Sequence, residues 1–314
     1  MEQKKSIARL LDGAETVIRG KRPFLEYLCA GALAGGHILL EDLPGLGKTT
    51  VAKTFAHLIA GPRKKPLLFK RIQFTPDLLP YDITGVDVFD PQKRAFRFVP
   101  GPVLSNIVLA DEINRTTPKV QSALLEVMAE GQVTIGQNTY QPPAPFLVIA
   151  TENPVESEGT FPLPAAQLDR FMLRLSLGYP DRAAELGILE DNPGETALAA
   201  LKPVLDVKDF LALKAAASRV FCHQALKEAI ADIVRDTRAN RAFSLGASPR
   251  AALHLLGAAR GLALVRGRAF VSDADIADLI IPCLLHRVRF RDPRAEGEKL
   301  LRGISASRLE KVNG

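Results

Sequence analysis

Residues 41–50 read EDLPGLGKTT, between the apolar run His37–Leu40 and a helical pattern over Thr49–Ile59. A strand that enters such a loop and leaves as a helix turns backbone N–H groups toward an anion at the helix N-terminus. Gly45 and Gly47 tolerate the tight turn and the close approach of phosphate oxygens. Lys48 then offers a point positive charge to β- and γ-phosphates, and the Thr49 hydroxyl is a hard oxygen ligand for magnesium. The phosphate loop is expected to comprise Pro44, Gly45, Leu46, Gly47, Lys48, Thr49 and Thr50. Asp42 stands where a strict G-x-x-x-x-G-K-T pattern has its first glycine. That glycine eases only the start of the turn, so the phosphate-contacting end is intact. The alternative is a glycine-rich turn that binds nothing.

A second element downstream supports the first. Ile107–Ala110 reads as a buried strand that delivers Asp111 and Glu112 at its C-terminal end, where α/β sheets place ligands. Asp111 suits magnesium held through water, and Glu112 suits a general base that polarises the attacking water. Another buried strand, Phe146–Ala150, ends in Thr151-Glu152-Asn153-Pro154. Asn153 there can orient the water, its amide both donating and accepting; alone, it would read as a turn residue before proline.

Apolar runs at Leu67–Ile72 and Phe171–Leu177 complete a set of strands with few polar breaks, as strands covered on both faces have. Their alternation with helical segments such as Pro118–Glu130 predicts an α/β fold: a parallel sheet with helices on both sides. Helices are predicted before it, one on the spacing of Ile7, Leu10, Leu11, Ala14, Val17 and Ile18, another over Phe24–Ala34 with Gly35-Gly36 as its stop. From Asp181 the pattern becomes Ala- and Leu-rich and helical, without convincing strands. Residues 1–180 are therefore read as the α/β core and 181–314 as a smaller all-α domain, with loops at Pro193-Gly194 and Lys202-Pro203. Its helices fall near Val207–Ala217, Gln224–Asn240, Pro249–Arg266 and Asp273–Leu285. Two hairpins are predicted inside the core. In one, Val86 and Val88 alternate with polar neighbours, as do Phe96 and Phe98, with Asp90–Lys93 as the turn between them; in the other, Gln132–Gln141 turns at Gly136-Gln137-Asn138. They either edge the sheet or project to touch a partner.

The length of 314 residues favours two packed units over one, and 47% apolar residues argue against disorder. No stretch approaches the ~18 apolar residues of a membrane span, and MEQKKSIARL lacks the apolar core of a signal peptide, so a cytoplasmic location is expected. The three cysteines, Cys29, Cys222 and Cys283, are scattered without a CxxC pair and are expected to be free and buried. No histidine lies at a ligand spacing from another histidine or a cysteine, so no transition metal is expected. The formal charge of +6 is modest, and its densest patch, Arg287–Arg294 (RVRFRDPR), contains Asp292 and reads as a solvated helix end. Without a helix-turn-helix, zinc module or aromatic-basic stripe, no nucleic-acid partner is expected.

The motifs together resemble the MoxR family of AAA+ ATPases, in its helix-2-insert branch. The similarity runs nearly end to end, most specifically in LLEDLPGLGKT, ADEINRTTPKVQSALLEVMAEGQV, TENPVESEGTFPLPAAQLDRF and GASPRAALHLLGAARGLAL. It implies an AAA+ P-loop core followed by a helical lid, with ATP and Mg2+ as cofactors. Asn153 would be the sensor-1 residue, Arg170 in LDRF the arginine finger, and Arg250 in SPR the sensor-2 arginine. The hairpin at Val86–Phe98 would be the helix-2 insert, and Gln132–Gln141 the hairpin preceding sensor 1. Arginine suits such roles physically, being a planar and permanently charged fork for phosphate oxygens. Read locally, Arg170 could equally form an ion pair and Arg250 be an exposed first-turn arginine. Ala165 and Glu152 depart from the family's usual residues, which bears on turnover and partner coupling more than on nucleotide binding.

The resemblance further implies a ring, expected to be a hexamer, that remodels or activates a client complex, often a metalloenzyme, beside a protein carrying a von Willebrand factor A (VWA) domain. A nucleic-acid translocase and a nucleotide-gated scaffold with little turnover are the alternatives. Salt-sensitive DNA binding would mark the first, and ATP binding without hydrolysis the second.

Overall fold

The computed structural model describes residues 2–153, 159–191, 193–292, 294 and 296–313. Its central sheet has five strands: β1 (His37–Glu41), β2 (Phe69–Gln73), β3 (Ile107–Asp111), β4 (Leu147–Glu152) and β5 (Phe171–Leu175), in the order β5-β1-β4-β3-β2. β2 and β4 both pair parallel with β3, with Gln73 opposite Asp111 and Ala110 opposite Ala150. Leu39, Leu40, Val108, Leu109, Val148 and Ile149 are fully buried. Each such side chain contributes about 1.5–3 kcal/mol.

The expectation of strands covered on both faces fails at β2. That strand is at the edge of the sheet, Ile72 is its buried member, and Lys70, Arg71 and Gln73 are exposed. It also begins later than Leu67, because the Leu67 amide bonds to the carbonyls of Ala56 and Ile59 and the Leu68 amide to Asn106.

Packing groups the chain into two units, Leu39–Leu163 with Ser176–Val207, and Met1–Ile38 with Pro164–Leu175 and Lys208–Gly314. This partition follows compactness and differs from the consecutive division at residue 180. In the first unit, α3 (Lys48–Leu58) starts at Gly47 and buries Val51, Ala52 and Phe55. α4 (Pro118–Glu130) has proline in its first turn, where a missing N–H costs nothing, and is stopped by left-handed Gly131.

Both hairpins are present. Gly85–Asp90 pairs antiparallel with Ala95–Pro100, and Val133–Ile135 with Asn138–Tyr140 around a two-residue turn, Gly136-Gln137. Phe89 and Phe96 lie exposed on the longer hairpin with ring centroids 5.4 Å apart. Phe98 stacks on Tyr140 of the shorter one, 3.9 Å between centroids and 16° between planes.

The second unit holds α1 (Glu2–Glu15), α2 (Arg22–Ala34), α5 (Val207–Ser218, whose first residue belongs to the other unit), α6 (Gln224–Ala239), α7 (Pro249–Val265), α8 (Asp273–Leu284) and α9 (Gly297–Asn313). α7 lies close on α2 at Gly261, where a Cβ would come within 2.3 Å of the Ala30 carbonyl oxygen. Cys29, Cys222 and Cys283 are free and buried.

Three expectations for the C-terminal half need correction. It has short strands: Leu205–Asp206 pairs with Ile59–Ala60, and Phe243–Leu245 with Arg289–Phe290. Pro193-Gly194 opens the helix Pro193–Ala200 and is not a loop, proline being favoured in a first helical turn. Arg287 is not solvated but 3% exposed. Among the described residues no helix is long and apolar enough to cross a membrane.

Candidate nucleotide-binding site

The loop after β1 has both glycines left-handed, Gly45 at φ 84° and Gly47 at φ 86°, and a Cβ built on Gly45 meets no atom within 4 Å. The loop is therefore open to a ligand where side chains are absent. Lys48 begins α3 and is buried, its Nζ donating to the Asp42 carbonyl at 2.7 Å. That contact aims the ammonium back along the loop and leaves it protons to give to phosphate.

Asp42 does more than ease a turn. Its buried carboxylate accepts from Ser176 Oγ at 2.7 Å, Leu177 N at 2.7 Å and Gly178 N at 3.1 Å. It thereby pins the start of the phosphate loop to the segment that follows β5. A glycine in its place would leave the buried Leu177 amide and the half-buried Gly178 amide without that acceptor.

At the end of β3, Asp111 accepts from Thr151 Oγ1 through Oδ1 at 2.7 Å and from Arg71 Nε through Oδ2 at 3.0 Å. The buried Thr151 hydroxyl in turn accepts the Glu112 amide at 2.8 Å. Glu112 is left-handed at φ 56°, a conformation that costs a non-glycine residue about 1–3 kcal/mol and which the Thr151 contact offsets. Gln73 Nε2 at 3.1 Å and Arg115 Nη1 at 2.9 Å both donate to its carboxylate. Asn153 is buried just past the end of β4; Pro154 lies outside the described residues, as do residues 155–158 of the TENPVESEGTF stretch.

Magnesium fits this donor set. Thr49 and Asp111 supply hard oxygens, and the Asp111 carboxylate keeps acceptor capacity beyond Thr151 and Arg71, as a water-mediated contact requires. ATP fits the open glycine loop above a buried lysine.

Arg170 and Arg250 belong to the other unit. Arg250 is in the first turn of α7, after the N-cap Ser248, and its Nη1 is 3.8 Å from Asp169 Oδ2. Ser248 Oγ reaches both Asp169 oxygens at 2.9 Å. The structure thus gathers Arg250 around the residue that precedes Arg170.

The description "ATPase family associated with various cellular activities (AAA)" matches residues 37–173, and "AAA lid domain" matches residues 235–304. Chaperone MoxR1 of Mycobacterium tuberculosis is 42% identical over 292 residues, spanning 90% of this chain and 75% of that one. Protein MoxR of Paracoccus denitrificans is 31% identical, spanning 89% of this chain and 87% of its own length. The chain belongs to the MoxR family of AAA+ ATPases. The uncharacterized YeaC of Bacillus subtilis is 44% identical, over 96% of this MoxR-family chain and 91% of YeaC. The crystal structure of a Cytophaga hutchinsonii ATPase candidate superposes with a TM-score of 0.86 at 38% identity, covering 99% of this chain and 96% of that one. Family membership implies nucleotide binding, and the fold is the α/β P-loop core with a C-terminal helical lid.

Sequence reading of this MoxR-family chain missed Arg71, Thr151, the role of Asp42, and Arg287 with its neighbour His254. Register could have found the first two, since Gln73 opposite Asp111 puts Arg71 within reach and Thr151 follows Ala150. His254 is partly buried against Arg287, and its pKa is pushed down to about 3, by burial first and then by the charges of Arg287 and Arg250. His286 is buried beside the Phe171 carbonyl and is pushed well below the ordinary range, again by burial and then Arg287.

Both histidines stay neutral in the fold but take up protons near 6.5 when unfolded, so the unfolded state binds more protons below that pH. Stability is expected to be level above about pH 6.5 and to fall as pH drops toward 5, by up to about 1.4 kcal/mol per unit for each histidine. Urea midpoints measured from pH 7.5 to 5 test this. His254→Gln should flatten the slope, and a wild-type profile flat across that window would refute the neutral assignment.

Proposed function

We propose that this chain binds ATP with Mg2+ on Pro44–Thr50 and hydrolyses it as a remodelling ATPase. The observation that carries the reading is a buried lysine behind two left-handed glycines in the loop after β1, a strand of the same sheet whose β3 ends at Asp111, with Glu112 next. Lys48 neutralises β- and γ-phosphate charge, and Thr49 and Asp111 would hold the metal, the aspartate through water. When bound, magnesium supplies charge neutralisation at the phosphate oxygens. Glu112 takes the proton of the attacking water, Asn153 orients that water, and Arg170 is donated to the pocket of a neighbouring chain. Arg250 is the sensor that ties nucleotide state to the helical lid, residues 181–314, against a core of residues 1–180.

The assembly we propose is a ring, a hexamer, working in the cytoplasm on a client protein complex with a VWA-domain partner. The chaperone name of the mycobacterial relative supports the remodelling role. The exposed Phe89 and Phe96 suit the longer hairpin to touching protein.

Lys48→Ala removes a charge-assisted contact to the phosphates and is expected to weaken ATP binding by about 10- to 100-fold. Titration with a fluorescent ATP analogue and magnesium reads this. Unchanged affinity would place the nucleotide elsewhere. Wild-type binding without hydrolysis would favour the nucleotide-gated scaffold.

A further inference from the structure

Arg287 sits in the turn Leu285–Arg287 after α8, 3% exposed, and far in sequence from all but one of the residues it touches, the exception being Cys283. Its Nη2 donates to the Asp169 carbonyl at 3.3 Å, to the Phe171 carbonyl and to His254 Nδ1. Those two carbonyls stand on either side of Arg170. Its Nη1 lies 3.6 Å from Cys283 Sγ, and its Nε faces Asp169 Oδ1 at 3.5 Å, an ion pair and not a hydrogen bond.

Burying a guanidinium is costly, and packing alone is served as well by apolar residues of similar volume. The acceptors gather at Nη2, while Nη1 meets Cys283 and Nε faces Asp169; the rigid guanidinium plane thereby fixes where Nη2 stands, which the flexible stem and single nitrogen of a lysine do not. His254 accepts from the same Nη2, which requires its neutral ring with Nδ1 free of a proton. Asp169 is already held by the Ser248 hydroxyl and faced by Arg250, so it stays in place as a counter-charge.

We propose that Arg287 is a positioning residue for Arg170: with His254 and Asp169 it clamps the backbone on both sides of the finger, so that the finger is presented rigidly to its target. The proposal rests on the reading of Arg170 as a finger given to a neighbouring chain. It predicts a one-sided defect, because the clamp matters in the chain that donates the finger and not in the chain that receives it.

The test mixes full-length chains. A Lys48→Ala chain donates fingers but has a dead pocket, and an Arg170→Ala chain has a good pocket but no finger. Their mixture is the control and should regain ATPase activity. Adding Arg287→Lys to the donor should cut the regained activity by about 10- to 100-fold, the scale of a catalytic group misplaced by about an ångström. Adding it to the Arg170→Ala chain should leave the regained activity unchanged, with ATP affinity and sedimentation unaltered in both mixtures.

Equal losses on the two sides, or none on the donor side, would overturn the clamp while leaving the finger in place. Failure of the control mixture, with assembly shown by sedimentation, would overturn the finger assignment and the clamp with it. Should Arg287→Lys not fold, His254→Leu, which removes only the acceptor, is put through the same two mixtures with the same criteria.

Discussion

A Glu112→Gln chain is expected to bind ATP and magnesium as the wild type does and to turn over about 10²- to 10⁴-fold more slowly. The amide is near-isosteric with the carboxylate and accepts the same donors, Gln73 Nε2 and Arg115 Nη1, through its oxygen. It cannot take the proton of the attacking water. The backbone at position 112 should not change, because its left-handed conformation is held by the Thr151 hydroxyl and not by the side chain. The loss therefore belongs in kcat, with affinity for ATP preserved. Single-turnover hydrolysis beside equilibrium ATP binding separates the two. Wild-type turnover by the glutamine variant would show that Glu112 is not the base. The same variant, held with ATP bound, is the form in which a client or a VWA-domain partner should co-purify.

Removing the finger should be as severe and should differ in kind. Arg170→Ala is expected to leave ATP binding largely intact and to lower turnover about 10³-fold, as loss of other arginine fingers does. An arginine acting within its own chain gives the same single-variant result, so mixing decides between them. In the mixture of Lys48→Ala and Arg170→Ala chains, some intact pockets face intact fingers, and two nearly inactive proteins should regain part of the wild-type rate. The regain should rise with total protein concentration, because mass action sets the assembled fraction. A mixture that sediments as an assembly but stays inactive would return Arg170 to its own chain.

The two mutational tests draw on features of unequal legibility. The phosphate loop and the Asp111-Glu112 strand end were readable because each is a local pattern: a glycine-lysine-threonine run at a strand-helix junction, and an apolar run ending in two acids. The hairpins were readable for the same reason, from period-two alternation and turn residues. Helix starts at Pro249 and Asp273 also carry local signals, Ser248 and Ser272 being the caps.

Longer-range contacts left no such trace. Asp42 looked like a missing glycine because its partners are Ser176, Leu177 and Gly178. RVRFRDPR looked like a solvated helix end because the acceptors that bury Arg287 come from residues 169–171 and 254. Leu67–Ile72 is different: Lys70 and Arg71 interrupt the run, and such charged residues are a local sign of an edge strand. For Asp42 and Arg287 the decisive partners lie 33 to 136 residues away, and only the folded chain brings them near.

The Phe98–Tyr140 stack has a mechanical consequence. Two ribbons that arise at separate points of the chain are hooked together at their sides, so a tug on the tip that carries Phe89 and Phe96 is felt by the shorter ribbon as well. The shorter ribbon is continuous with α4, and α4 follows directly from the turn that begins at Glu112. A stacked ring pair contributes only about 0.5–1.5 kcal/mol beyond its buried area. Such a fastening is a snap and not a weld: it transmits a small load to the base of the ribbons and releases under a larger one.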